Sequence, residues 1–479
     1  MNKVLLINPP YYASKENINF WPSFPLGIAY IASYLESNGY KVKVIDAFGE
    51  GYENRRPHDE KYLRIGLDEK EILSEVSAFR PDIIGIGNLF SIQRFSMHSM
   101  AKVIKDFDRR IPVVVGGPHV SAVPELVMSD TNIDYSIIGE GEHALRELVE
   151  ALSDDKPLDS ISGLAYRQGD SLKINRTRKF VGNLDELPFP AWHLFKMDKY
   201  INQKVSQGGD VRRHPVMTML SSRGCPFNCL FCSGRDTWGT SLRVRSPENV
   251  IKEIMLLREK FGIRELIIVD DNFNFDVKRL NTILDFLIKK KMDLILQTPS
   301  GLFIQKLSCD ILRKMKAAGF YRIFLPIESG SEHVRNAIIR KPIDMEHVKE
   351  LVKCCREIGI DTTGYFILGL PGETKEEMMQ TFKVARDLKI QPYFSVATPF
   401  PGSDLYKFAK EKGVLKSYEI EKCSDEYNIS TSEWKAEELR RMLKRELLRF
   451  KYKVILISYI KDPTKFFKKI YQYISKAFK

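Results

Sequence analysis

The chain has 479 residues, 43% of them apolar and 28% charged, the balance of a soluble globular protein long enough for two or three domains. Its formal charge of +12 is concentrated, because between positions 435 and 479 fourteen Lys and Arg face four Asp and Glu, a net of +10. The rest is close to neutral, which argues against a nucleic-acid groove across the body, and no run reaches the about 18 apolar residues of a membrane span.

The opening Met1-Asn-Lys-Val-Leu-Leu-Ile-Asn-Pro-Pro10 has no long apolar core and no small-residue cleavage site, so no secretory signal is expected. A cytoplasmic protein with reduced thiols is the expectation. Residues 3–8 form an apolar run stopped by two prolines, read as a buried first strand. A helical period follows over 26–38, then strands over 41–46, 82–87, 111–116 and 135–139. Helical patterns at 68–79, 97–107, 123–128 and 143–152 alternate with them. This alternation predicts an α/β domain with a doubly wound, Rossmann-like parallel sheet over residues 1–150. Ligands of such sheets bind outside the carboxyl ends of the strands. Those ends carry Asn8 and Pro9, Asp46, Gly85-Ile-Gly-Asn88, Gly116, Gly117 and His119, and Gly139, Glu140, Gly141 and Glu142. No G-x-G-x-x-G follows the first strand, which argues against a nicotinamide cofactor.

A hairpin pattern over 163–175 and a proline-bearing segment over 184–192 make residues 151–212 a connecting region. From 213 to 430 the βα unit repeats. Strands are expected at 217–220, 265–270, 293–297, 322–327, 363–368 and 393–396, with helices between them, which predicts a complete or partial barrel with its site at the carboxyl ends. Residues 431–479 form a basic tail, with an amphipathic helix over 436–453 and aromatics interleaved with lysines beyond. The tail fits either an anionic membrane surface or a helix packed on the barrel with a solvated basic face.

Immediately after the first barrel strand comes Ser221-Ser-Arg-Gly-Cys-Pro-Phe-Asn-Cys-Leu-Phe-Cys-Ser-Gly234. Cys225, Cys229 and Cys232 can hold three irons of a [4Fe–4S] cube, and no fourth cysteine follows until Cys309. One iron is then left open to bind a substrate. The alternatives are a structural zinc, for which His214 is the nearest fourth ligand but no second ligand pair exists, and a disulfide. Cys309, Cys354 and Cys355 lie in helical patterns and are expected as small buried apolar residues.

The cysteine run, with Phe231 before the last cysteine, resembles the radical S-adenosylmethionine (SAM) enzymes. The motifs Asn8-Pro-Pro, Pro25-Leu-Gly27, Gly116-Gly-Pro-His119 and Gly139-Glu-Gly-Glu142 resemble the cobalamin-binding domain of one large class of them. The class includes methyltransferases and the anaerobic magnesium-protoporphyrin ester cyclase. The resemblance implies three cofactors: a [4Fe–4S] cluster, SAM and cobalamin. It implies a partial six-unit barrel in which Asp271 and Asn272 meet the methionine amino group. Glu328 and Ser329 then contact the ribose and carboxylate, and Gly369 and Gly372 flank adenine. For each a plainer reading exists, a helix cap at Asp270-Asp271 or an ordinary turn at 369–372. Where many cobalamin domains place a histidine ligand for cobalt, the second strand here is followed by Phe48. The implied activity is methyl transfer to an unactivated carbon, with an oxidative cyclase, or a non-catalytic cobalamin or redox sensor, as alternatives. The implied partners are a small-molecule substrate, lipid-soluble if the tail meets the inner membrane face, and an electron donor such as flavodoxin or ferredoxin. No nucleic acid is expected.

Overall fold

The computed structural model describes residues 1–15, 22–177, 179–202, 211–413, 430–431 and 434–461, and two parallel sheets follow one another along them. The first begins with Lys3–Asn8, whose four central residues are buried on both faces as a parallel strand requires. Its parallel order is Lys41–Asp46, Lys3–Asn8, Ile83–Gly87, Val113–Gly116 and Tyr135–Ile137. The chain builds outward in one direction from Lys3–Asn8 to Lys41–Asp46, then in the other from Ile83–Gly87. The switch point therefore lies between Lys3–Asn8 and Ile83–Gly87, where such sheets take their ligands.

The hairpin expected in the connecting region belongs to this sheet instead. Leu164–Gln168 pairs antiparallel with Tyr135–Ile137, and Ser171–Ile174 completes the edge. Leu164 and Ala165 are fully buried, so the first domain's core runs past residue 150 to the end of the hairpin. The helix expected over 123–128 is replaced by two short ones, Pro118–Ala122 and Pro124–Val127. A small antiparallel sheet of Tyr11–Ser14, Tyr62–Ile65 and Arg55–Pro57 covers one end. Its strands are too short for a period to show in sequence.

The second sheet has six parallel strands in chain order: Val216–Met219, Glu265–Ile268, Ile295–Gln297, Phe320–Glu328, Asp361–Leu368 and Gln391–Val396. Its first and last strands are not paired with each other, so the barrel is partial. The helices between strands start where their sequences cap them. Ser246 with Pro247 opens Pro247–Phe261, and Thr374 with Glu377 forms a capping box for Lys375–Leu388.

Helix Ala436–Lys461 is longer than the period over 436–453 implied. Its start is part of the barrel: Trp434, Leu439 and Glu446 are buried, and Trp434 Nε1 donates to the Glu373 carbonyl. The aromatics Phe466, Phe467, Tyr471, Tyr473 and Phe478 lie outside the described residues. Among the described residues no helix is long and apolar enough to cross a membrane.

Cys309 and Cys354 are disulfide-bonded, with Cα atoms 5.8 Å apart, whereas the sequence suggested three isolated apolar thiols. They lie on Cys309–Ala317 and Met345–Ile358, adjacent helices whose pairing a helical period cannot reveal. Cys355 is free and buried, as expected.

Candidate active site

At the carboxyl ends of the barrel strands lies a cavity of about 1320 Å³. Cys225, Cys229 and Cys232 all open on it, together with Asp271, Asn272, Glu328 and Lys341. Ser23 and Phe90, from the first domain, line the same space.

The cysteine loop is held from below by Asp270. Its buried carboxylate accepts from the Ser221 N–H and from the Ser221 and Ser222 hydroxyls, at 2.6, 2.6 and 2.7 Å. Asp270 is thus a brace for the loop, and the next two residues are left to face the cavity. Asn272 Nδ2 donates to Cys225 Sγ at 3.0 Å, and the Gly234 N–H lies 3.4 Å from Cys232 Sγ. Burial pushes the Cys229 thiol up to about 12, against the pull of the Lys341 ammonium. Such a thiol must lose its proton to a metal to become a ligand. Among the described residues no three His, Cys, Asp or Glu side chains converge on one ion. A cube makes no such demand, because each corner iron takes one thiolate. His214 precedes the amino end of Val216–Met219 while the cysteines follow its carboxyl end, so it does not belong to the thiol group. Three thiols on one cavity, two of them approached by N–H donors and all near a lysine, fit an anionic iron–sulfur cluster.

Asp271 projects into the cavity, where the surrounding walls and the Asp270 carboxylate push it up to about 6. Glu328 ends its strand at φ 68°, in the left-handed region, where the register with Asp361–Leu368 slips. This backbone turns its carboxylate inward to Lys341 Nζ at 2.8 Å. Burial works against the Lys341 ammonium, yet Glu328 beside it holds its pKa above the ordinary lysine value. Lys341 lies on no sequence motif and reaches the site only through the loop after the Val334–Ile338 turn.

Other expected SAM contacts are placed elsewhere. Ser329 is fully buried, its hydroxyl 3.0 Å from that of Thr381. Gly369 and Gly372 do not line the cavity. A Cβ on Gly369 would stand 2.4 Å from Leu439 and 3.1 Å from Trp434, so the glycine makes room for the C-terminal segment. Glu373 closes this turn by accepting from the N–H groups of Gly369 and Leu370. The plain-turn reading fits these positions.

At the first domain's switch point, Leu89 and Phe90 follow Ile83–Gly87 and are 48% and 53% exposed, unusual for large apolar side chains. Beside them the buried amide of Asn88 has neither its Nδ2 nor its Oδ1 hydrogen-bonded within the protein. An apolar shelf next to an unsatisfied amide fits a large flat cofactor with amide-bearing edges such as cobalamin. The expected contacts differ. Asn8 donates to Asp46, which also caps Gly49 and accepts from the Tyr200 hydroxyl. Pro9 is buried in the core edge, and Gly27 has open space around it. His119 is buried with its Nδ1 3.1 Å from Ser91 Oγ, and desolvation lowers its pKa to about 3, so it is held as a neutral structural imidazole. A Cβ on Gly116 would meet nothing closer than 3.9 Å, whereas one on Gly117 would fall 2.1 Å from the Asn88 carbonyl. Gly139 donates its N–H to Ser121, and a Cβ on Gly141 would press on Ile31. Glu140 is spent on Arg223 and Arg243 of the barrel domain. Asn8, Asp46, His119, Gly117, Gly139, Glu140 and Gly141 thus have partners within the protein, whereas Gly27 and Gly116 leave room beside them.

Comparison with known proteins agrees with both halves. The B12 binding domain model matches residues 22–149, and the Radical SAM superfamily model matches residues 219–385. The chain is 32% identical over 443 residues to the cytidylyl-2-hydroxyethylphosphonate methyltransferase of Streptomyces wedmorensis, covering 86% of this chain and 82% of that one. It is 26% identical over 443 residues to the anaerobic magnesium-protoporphyrin IX monomethyl ester cyclase of Rubrivivax gelatinosus, covering 90% and 73%. Its fold resembles that of the radical S-adenosylmethionine methyltransferase TsrM from Kitasatospora setae, at TM-score 0.67 and 20% identity, over 87% of this chain and 76% of that one.

Proposed function

We propose a function from the premise that the chain belongs to the radical SAM enzymes with a B12-binding domain: it is a cobalamin-dependent methyltransferase acting on an unactivated carbon of a small molecule. The observation that supports this most directly is the shared cavity. Cys225, Cys229 and Cys232 open on the same space as Phe90 from the first domain's switch point. When bound, the cluster with SAM supplies a 5′-deoxyadenosyl radical by one-electron cleavage of the sulfonium, and cobalamin supplies the methyl group.

The chain's own residues do the rest. The three cysteines would hold the cluster, and Asn272 orients Cys225. Asp271 would accept from the methionine amino group, and Glu328, fixed by Lys341, would offer a second carboxylate to the polar end of SAM. Leu89, Phe90 and Asn88 would carry cobalamin at the switch point, with no imidazole in reach from the second strand, where Phe48 stands buried. The cavity walls include Phe324 and Tyr365, stacked at 5.4 Å, an apolar surface that would limit water beside the bound cofactors.

The test uses the full chain, anaerobically reconstituted and reduced. Release of S-adenosylhomocysteine that depends on added cobalamin, together with 5′-deoxyadenosine, is the expected result. Formation of 5′-deoxyadenosine alone would reject methyl transfer and favour an oxidative cyclase, the reading that the Rubrivivax relative supports.

We also place the enzyme in the cytoplasm, with a flavodoxin- or ferredoxin-type protein as electron donor, and assign peripheral membrane contact to the basic tail. Removing residues 462–479, with five lysines and one aspartate, should then weaken salt-sensitive binding to anionic liposomes, since each basic residue contributes about 1 kcal/mol. Full-length protein that ignores such liposomes at low salt would exclude this contact.

A further inference from the structure

We propose that the two glycine-rich strand ends of the first domain, Gly117 to Ala122 and Gly139 to Glu142, are positioning elements. They grip the cysteine loop at both its ends and set the separation between the cluster site and the B12 domain. This inference rests on the cofactor reading above.

The entry end of the loop is held by charge. Arg223 stands two residues before Cys225, on the short strand Ser222–Arg223, which pairs with Arg243–Val244. Its guanidinium donates to Glu140 Oε1 at 3.1 Å and to Glu142 Oε1 at 2.7 Å. Arg243 adds bonds of 2.8 and 2.9 Å to the two Glu140 oxygens. Arg223, Glu140 and Glu142 are all buried, and the Arg223 guanidinium lies over the rings of Tyr30 and Trp238, at 5.3 and 5.0 Å. Two arginines thus meet two glutamates in an array that crosses the domain boundary. Buried ion pairs are a poor route to stability alone, because desolvation offsets their attraction. What a forked guanidinium between two carboxylates does supply is orientation.

The exit end is held by packing. The helix Gly234–Trp238 starts two residues after Cys232 and lies against Pro118–Ala122 of the first domain. Gly402 sits at the junction, where a Cβ would come within 2.8 Å of Ala122 and 2.6 Å of Asp236. Pro118–Ala122 is itself fixed to the switch point, since Gly117, at φ 124°, brings its backbone against the Asn88 carbonyl. Ser121 ties the two strand ends together by accepting the Gly139 N–H at 2.9 Å. The loop that carries the thiols is therefore bracketed by two linked turns, one of which, at Gly117, ends against Asn88 of the shelf.

The experiment compares the full-length chain with its Glu140→Gln/Glu142→Gln double variant, which keeps side-chain shape and removes the charge. Without cofactors, amide hydrogen exchange over residues 221–239 should quicken at least tenfold while the strands of the first sheet stay unchanged. With cluster and cobalamin loaded, iron and sulfide content should stay within twofold of wild type. The relaxation enhancement of the Co(II) signal by the reduced cluster should fall at least threefold. Glu142→Asp, which keeps the charge but shortens the reach, should move both readouts in the same direction by less. Unchanged exchange and unchanged relaxation would overturn the proposal. So would loss of the cluster in both variants, which would mean that the glutamates fold the loop rather than place it. Wild-type protein that takes up neither cofactor would overturn the proposed function, and the exchange arm would still decide the positioning role.

Discussion

In the barrel the strand ends deliver Asp271, Asn272 and Glu328 to the wall of a cavity of about 1320 Å³. In the N-terminal sheet the corresponding ends deliver Asp46 to Tyr200, His119 to Ser91, and Glu140 with Glu142 to Arg223. Both sheets are built from the same βα unit, and in both the turns are rich in glycine and carboxylates. The difference lies in what each edge faces. The barrel edge opens on empty space, so its polar groups stay available for chemistry. The polar groups of the N-terminal edge are spent on protein partners, within the first domain, on the connecting segment or on the barrel, and among the described residues Asn88 to Phe90 at the switch point remain open to a ligand.

The largest effect that tests this contrast comes from the barrel edge. Replacing Cys225, Cys229 and Cys232 together by Ala should abolish the iron–sulfur absorbance and all reductive SAM cleavage, while the melting temperature of the apoprotein changes little. Normal iron and sulfide content in that variant would break the assignment.

Next is a place where the barrel edge behaves like the N-terminal one. Trp434 is 3% exposed and sits against Gly369, so Trp434→Ala should destabilise the fold by about 3–5 kcal/mol, read by denaturant unfolding. A change below 1 kcal/mol would mean that the C-terminal segment is not part of the barrel.

The same turn carries a pH signal. Burial raises Glu373 to about 7, although the Leu370 and Gly369 N–H groups pull the other way. The folded state then keeps a proton that the unfolded chain releases near 4.5. The stability this proton provides is full below about pH 4.5 and is lost as pH rises to about 7. Glu373→Gln should therefore be more stable than wild type at pH 8, by at most about 3 kcal/mol, with the advantage shrinking towards pH 5.

The smallest effect sharpens the comparison most. Asp271→Asn should weaken SAM binding about tenfold, on the order of 1.4 kcal/mol, and, by the same linkage as Glu373, raise stability above about pH 6. With Asp271 raised to about 6, wild-type affinity for SAM should be full above that pH and fall below it, and the Asn variant should lose this dependence. Asp46→Asn should do the reverse, lowering stability by about 1–3 kcal/mol through the buried partners it leaves unpaired, with SAM affinity intact. Matching behaviour of the two aspartates would erase the distinction between the edges.

The sequence by itself determined the order of elements, the two parallel sheets and the three-cysteine loop that follows the first barrel strand. Alternation of apolar runs with helical periods, and the spacing of Cys225, Cys229 and Cys232, are local properties of the chain. It also singled out Asp271, Asn272 and Glu328 as expected SAM contacts, and all three line the cavity, because each lies at or just past a strand end. Only the tertiary structure decided which glycine-rich turns face a cavity and which face protein. Gly369 and Glu140 look in sequence like ligand contacts, yet one seats Trp434 and the other binds arginines 83 and 103 residues away along the chain. The same holds for Lys341, for the sheet that the hairpin Leu164–Ile174 joins and for the Cys309–Cys354 bond. Each is a long-range pairing, and residue periodicity carries no information about which distant surface will close over a strand end.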